Sequence, residues 1–286
     1  MHEYKTEFEI KVMARVLEVS SSGYYAWVAR SKEAEIYADK ELCEVISGLR
    51  EESRNSYGYR SMTLRLRGLG KKVNRKRTYR IMKEQGWLVE RKKKYVKTTN
   101  SLHQYPTAPN LLNRDFSANN INEKWITDIT YVRTSEGWLY VCAVLDVFSS
   151  RIVGWAAQGD MSETLVLKAL KMAFEQRRPS AGLIVHSDRG VQYAAQACRD
   201  LLKSHQVRQS MSGKGDCYDN AMMESWNARF KVEWVRDYDY VSRELGKLDV
   251  FTYIETHYNR RRPMARLGGL SPIQFENKHV TEFRNE

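Results

Sequence analysis

The sequence predicts an α/β fold, a mixed five-stranded sheet flanked by helices, preceded by an all-α helix-turn-helix region. Three observations carry that expectation. β-Branched and aromatic runs follow one another after Trp125 with only short turns between them, helix-like and strand-like stretches then alternate to about residue 235, and a strongly basic helical block lies upstream. The chain has 286 residues, 42% hydrophobic and 11% aromatic, enough to bury about two domains' worth of core and to exclude a wholly disordered polypeptide. Its longest apolar run, Trp138 to Leu145, is far short of the ~20 residues that span a bilayer. Lys5, Glu7, Glu9, Lys11 and Arg15 interrupt any signal-peptide pattern. Cys43, Cys142, Cys198 and Cys217 lie far apart, forming neither a disulfide framework nor a zinc pattern. A soluble cytoplasmic protein with no membrane partner is expected.

Ile10, Met13, Val16 and Leu17 recur at helical spacing, Ser20 to Gly23 punctuates the pattern, and a short helix with Tyr24, Tyr25 and Trp27 follows. Residues 35–53 form an amphipathic helix through Ile36, Leu42, Val45, Ile46 and Leu49. A helix bearing Met62, Leu64, Leu66 and Leu69 comes next, then a turn at Gly70. Asn74 is a good N-cap for a helix from Arg75 to Gln85, which Gly86 stops. That last helix shows Arg75, Lys76, Arg77, Arg80 and Lys83 on its polar faces.

Charge is concentrated here. Between Arg60 and Lys97 fifteen basic residues face two acidic ones, Glu84 and Glu90, a local excess of 13 that surpasses the whole chain's +12. A basic block of this kind meets a polyanion, because each phosphate contact releases condensed counterions. Two short helices with a glycine turn, the second strongly basic, predict a recognition helix for the major groove of DNA.

Residues 98–123, with Pro106, Pro109 and six Asn, predict an interdomain linker. Beyond it, Trp125–Val132, Trp138–Asp146 and Ile152–Ala157 make an antiparallel meander. A helix over 163–177, a strand at Leu183–His186, a helix over 194–205, a strand at Val207–Met211 and a helix over 220–235 complete the mixed sheet and its cover.

Three acids hold telling positions. Asp128 lies inside the first strand, Asp188 just after the fourth, and Glu224 on the last helix; 59 residues separate the first two and 35 the second two. Such carboxylates can converge at one edge of a sheet, and three oxygen donors with open positions suit Mg²⁺ or Mn²⁺. On the helix, Asn220, Glu224, Asn227 and Lys231 fall on one stripe beside an apolar stripe of Met223, Trp226, Phe230 and Trp234. Glu224 can then face a cleft while the helix docks, with Lys231 two turns away to meet a phosphate. His186, Asp146, Asp216 and Asp219 fit structural duty better than ligation.

Several motifs together resemble a known family: Trp125-Ile-Thr-Asp128-Ile-Thr-Tyr-Val, Gly137-Trp-Leu-Tyr140, His186-Ser-Asp188-Arg-Gly-Val-Gln-Tyr193, Ser210-Met-Ser-Gly-Lys-Gly-Asp-Cys-Tyr-Asp-Asn-Ala221 and Glu224-Ser, with Arg15–Trp27 at the start and Tyr258-Asn-Arg-Arg-Arg262 and Leu270-Ser-Pro272 in the tail. They resemble bacterial insertion-sequence transposases of the IS-three (IS3) family, specifically the second-reading-frame product, OrfB. The tail departs from the family pattern at Pro263-Met264-Ala265, as does Trp226-Asn227 after Glu-Ser. The resemblance implies an RNase H-like, retroviral-integrase-like core in which Asp128, Asp188 and Glu224 are a DDE triad, both catalytic and metal-holding. It makes Lys231 the basic residue seven positions after the Glu.

The same resemblance implies Mg²⁺ as cofactor, two ions with Mn²⁺ able to substitute, and DNA strand cleavage followed by strand transfer at insertion-sequence ends. It implies transposon-end and target DNA as partners, a homo-oligomer on DNA, and an OrfA partner or fusion, in the bacterial nucleoid. The organisation expected is an N-terminal helical segment (1–34), a basic helix-turn-helix DNA-binding domain (35–97), a linker (98–123), a catalytic core (124–240) and a C-terminal helical tail (241–286). Arg260, Arg261 and Arg262 are expected to track DNA backbone alongside Lys231 and the residues of the basic helix. The competing readings are a non-catalytic DNA-binding accessory subunit active only as an OrfA–OrfB fusion, and a general nuclease.

Overall fold

The computed structural model describes residues 1–29, 32–89, 106–213, 218–235 and 238–283. The basic run 90–97, the start of the expected linker (98–105) and the stretch 214–217 with Asp216 and Cys217 lie outside the described residues. The chain divides into two compact units, Met1–Glu52 and Ser53–Glu286.

The first unit holds three helices, α1 (Ile10–Val16), α2 (Ser21–Ala29) and α3 (Lys32–Glu52). Ser20 starts α2 by accepting the Gly23 amide on its hydroxyl at 3.2 Å, an N-cap contact. Leu42, Ile46 and Leu49 of α3 are buried at i, i+4, i+7 spacing. α3 thus belongs by its contacts to the first compact unit, which ends at Glu52.

The second unit opens with α4 (Tyr59–Gly68) and α5 (Arg75–Glu84). Asn74 caps α5, its Oδ1 accepting the Arg77 amide at 2.8 Å. Gly70 and Gly86 both adopt positive φ, +78° and +68°, which ends each helix in a conformation only glycine takes without strain. Arg54 fastens the segment before α4 to the core. Its guanidinium pairs with Asp249 at 2.7 Å and lies over the rings of Trp234 (4.1 Å) and Tyr238 (4.7 Å).

β1 (Lys124–Thr134), β2 (Gly137–Asp146) and β3 (Ile152–Gln158) form the meander; α6 (Glu163–Arg177) leads to β4 (Ile184–Ser187), and α7 (Val191–Ala194) and α8 (Gln196–Ser204) to β5 (Arg208–Met211). The order across the sheet is β3-β2-β1-β4-β5, antiparallel through the meander and parallel from β1 to β4 and from β4 to β5. Alternation along β2 sends Leu139, Val141, Ala143 and Leu145 into one core layer and Cys142 and Val144 into the other. α6 covers one face, so closely at β3 that a Cβ on Gly154 would stand 2.4 Å from the Ala169 carbonyl oxygen.

The other face is covered by α9 (Ala221–Phe230), its π-helical continuation over Lys231–Val235, α10 (Arg243–Phe251), a second π segment over Thr252–Tyr258, and α11 (Pro272–Phe283). The tail is built in. Glu276 of α11 accepts from Arg151 at 2.7 Å and from Arg177 at 2.9 Å, and Ser149 donates to it at 2.8 Å.

Three expectations are corrected here. The helix over 194–205 is shorter, α8 over Gln196–Ser204, and a separate one-turn helix, α7, precedes it across an extended Ala195 (ψ 146°). The helix over 220–235 changes from α to π at Lys231. Residues 106–123 are no free linker: Leu112 is buried, the Leu111 amide donates to the Ser210 hydroxyl at 2.8 Å, and Asn110 donates to Asp219 at 2.8 Å. Asn110 Oδ1 also accepts the Leu112 and Asn113 amides at 3.1 and 3.0 Å, and Asn122 Oδ1 accepts from Arg177 at 3.0 Å.

Candidate active site at the β1–β4 edge

Strand register brings Asp128 and Asp188 to the same level. Lys124, Trp125 and Ile126 pair in parallel with Ile184, Val185 and His186, a constant offset of 60 residues. Asp128 and Asp188 each lie two residues past the Ile126–His186 pair. The fifty-nine-residue spacing is thus a statement about register. Asp188 Oδ1 accepts the Gly190 amide at 2.9 Å, a local turn that fixes the carboxylate at the strand end.

α9 lies over β1 on its apolar stripe. Met223, Trp226 and Phe230 are fully buried, Trp234 is buried in the π continuation, and Trp226 stacks on Phe230 with centroids 5.4 Å apart. Anchored in this way, α9 brings Asn227 to Asp128, donating to its Oδ2 at 2.8 Å. Glu224, one turn earlier, is exposed at the rim. Burial first, then the charges of Asp188 and Glu224, push the Asp128 carboxyl well above the usual range, against the Ile129 amide and Asn227, which favour the ionised form. Desolvation also raises Glu224.

Lys231 follows on the same side. Its ammonium lies 4.0 Å from the centre of the Tyr131 ring; burial lowers its pKa and the charge of Asp128 opposes the shift. His186 is fully buried, with ring nitrogens 2.8 Å from the Ser210 hydroxyl and 3.1 Å from that of Ser212, and burial lowers it to about 4, so it is a neutral structural group. Asp146 closes the β2–β3 turn by accepting the Phe148 and Ser149 amides at 3.0 and 3.2 Å. Asp219, buried, binds Asn110 and the Gly213 amide.

The donors suit a hard divalent cation in kind: carboxylate oxygens whose mutual repulsion a cation relieves. Among the described residues, however, no three or more His, Cys, Asp or Glu side chains are grouped closely enough to hold a metal outright. Asp128 feels the charges of both Asp188 and Glu224, and Glu224 is exposed. Asn227 is the site residue that sequence reasoning left without a role, although its i+3 spacing from Glu224 was the signal.

On α5, Arg75, Lys76, Arg80 and Lys83 are exposed and Arg77 is half-exposed, while Thr78, Ile81 and Met82 are buried. In the tail, Arg260 and Arg261 are exposed, but Arg262 corrects the expectation of a DNA contact. Only 7% of its surface is exposed, and it donates from Nε and Nη2 to both oxygens of Glu233 in the π continuation of α9. A guanidinium spent on a buried fork–fork pair is withdrawn from phosphate.

Comparison with known proteins places these features in company. Integrase core domain models match residues 118–217, which hold both aspartates, and residues 224–280, which begin at Glu224; an HTH-like domain model matches residues 37–95. The chain is 39% identical to the transposase InsF for insertion sequence IS3A of Escherichia coli (strain K12) over 282 residues, 98% of each. It is 41% identical to an uncharacterized 31 kDa protein of insertion element IS600 from Shigella sonnei, over 93% of this chain and 98% of that one. Among solved structures, it matches a chain of the simian T-cell lymphotropic virus intasome in complex with PP2A regulatory subunit B56 gamma at 14% identity and TM-score 0.45, over 81% of this chain and 74% of that one.

Proposed function

The chain belongs to the IS3 family of insertion-sequence transposases, enzymes that cut DNA strands at insertion-sequence ends and join them elsewhere, and from that premise we propose that Asp128, Asp188 and Glu224 are its catalytic acids, holding Mg²⁺. The observation that carries the assignment is the shared level of Asp128 and Asp188 beneath α9, where Asn227 binds Asp128 one turn from Glu224. Asp188 and Glu224 add their charges to that of Asp128, and divalent cations would balance them. A pair of Mg²⁺ ions, for which Mn²⁺ could substitute, would supply Lewis acidity to activate water or a 3′-hydroxyl and to stabilise the departing 3′ oxygen.

The protein's own part is positioning. Asn227 holds one oxygen of Asp128 and fixes its rotamer, while the Gly190 amide does the same for Asp188. Lys231, steadied on Tyr131, meets a phosphate of the strand being cut. Chain cleavage is an in-line displacement at phosphorus: water attacks, the P–O3′ bond breaks, and the freed 3′-hydroxyl is the nucleophile of the joining step, so no oxidant, reductant or nucleotide cofactor enters the balance. The exposed cations of α5 bind the end DNA, with Arg260 and Arg261 as further backbone contacts.

We extend the reading to a homo-oligomer on transposon-end and target DNA, to an OrfA partner or fusion, and to the bacterial nucleoid as the place of action. No helix among the described residues is long and apolar enough to cross a membrane.

The test is an assay of the full chain on labelled insertion-sequence-end duplex with Mg²⁺. Asp188→Asn should keep DNA binding and lose cleavage and joining by about a thousandfold or more, ~4 kcal/mol of transition-state stabilisation. Undiminished joining removes Asp188 from the site. Binding without any cleavage by the unaltered chain favours the accessory role.

A further inference from the structure

The basic stripe of α5 contains one residue that phosphate attraction does not account for. Because Thr78, Ile81 and Met82 turn inward, Lys76, Tyr79, Arg80 and Lys83 share the outward face. Tyr79 stands in the middle of it, 40% exposed. It is also held: its ring meets that of Tyr59, the first residue of α4, edge-on at 5.2 Å and 76°. Tyr79, Arg80, Lys83 and Glu84 line a shallow cleft on this face.

Contacts from Lys and Arg to phosphate fix register on a duplex but carry no sequence information. A phenol offers what they lack, an apolar ring edge for a thymine methyl and a hydroxyl that both donates and accepts toward base edges. Orientation by a second ring across the helix pair lowers the entropy cost of using it.

We infer that Tyr79 is a base-reading residue, meeting base edges in the major groove of the end DNA while Lys76, Arg80 and Lys83 hold flanking phosphates. The inference rests on the DNA-binding role proposed above and is independent of the acid triad.

The experiment is selection of short duplexes with a randomised centre by the full-length protein, without divalent metal so that nothing is cut. The unaltered chain should enrich one consensus. Tyr79→Ala should lose preference at one or two adjacent positions, about tenfold each, with unchanged affinity for a scrambled duplex, unchanged salt slope and unchanged Tm. Tyr79→Phe, which keeps the ring pair, should retain the apolar share of the preference. An identical consensus from Tyr79→Ala overturns the inference, as does an unaltered chain that enriches no sequence. Uniform weakening on every duplex together with a lowered Tm overturns it too, and makes Tyr79 a packing partner of Tyr59. Metal-dependent end cleavage would survive each of these failures, which separates them from failure of the catalytic assignment.

Discussion

Helices α5 and α9 are equal in length and opposite in design. α5 buries Thr78, Ile81 and Met82 and gives most of its surface to cations; α9 buries Met223, Trp226 and Phe230 and shows one acid at its rim. The difference follows from what each must hold still. On the function proposed, a reader of phosphates works through a field that tolerates small displacements, whereas a carboxylate that shares a metal must be set to a fraction of an ångström. Changes on α9 should therefore unfold or inactivate the protein, and changes on α5 should mainly alter what it binds.

The sharpest way to break that contrast is Trp226→Ala. Trp226 is fully buried among Phe230, Tyr253 and Tyr258, and its truncation should cost about 3–5 kcal/mol in denaturant unfolding. A loss under ~1 kcal/mol would mean that α9 is not the anchor described. Next is Arg262→Ala, which strips the half-buried Glu233 of its guanidinium partner. It should cost about 3 kcal/mol, whereas exposed Arg260→Ala should stay within about 0.5 kcal/mol. Equal effects would erase the distinction between the two arginines.

On the lighter helix, Asn74→Ala removes the N-cap of α5 and should cost about 1 kcal/mol in the same measurement. The last test concerns pH. Burial, reinforced by Arg262, Arg261, Arg54 and Arg65, depresses His257 to about 3, against ~6.5 for a free imidazole. Between those values the unfolded chain binds a proton that the folded one refuses, so this contribution is full above about pH 6.5 and is lost as pH falls toward 3. His257→Phe should flatten the fall of Tm over that interval; an unaltered slope would assign it to other groups.

Much of this design was legible in the sequence. The strands announced themselves through β-branched runs, α5 through Asn74 and Gly86, and the α9 stripes through helical spacing. The three acids stand on the elements the sequence assigned them to, and the constant offset between β1 and β4 gives a physical reason for the spacing of Asp128 and Asp188. What escaped shares one cause: burial decided by distant partners. Arg262 read as a surface charge because Glu233 lies 29 positions away, and residues 106–123 read as a linker because Ser210 and Asp219 come about a hundred positions later. The break at Ala195 carries no Gly or Pro to announce it.

The parallel pairing of β1 and β4 has a consequence for how such a chain can change over evolutionary time. Side chains alternate sides along a strand, so sliding β4 by one position would turn Asp188 away from its fellow acid while leaving the backbone ladder intact. Segments joining the two strands can therefore gain or lose residues outside the ladder, yet the count from Ile126 to Asp128 and from His186 to Asp188 is locked. On the proposed function, parity within the strands matters to the paired aspartates more than distance along the polypeptide does.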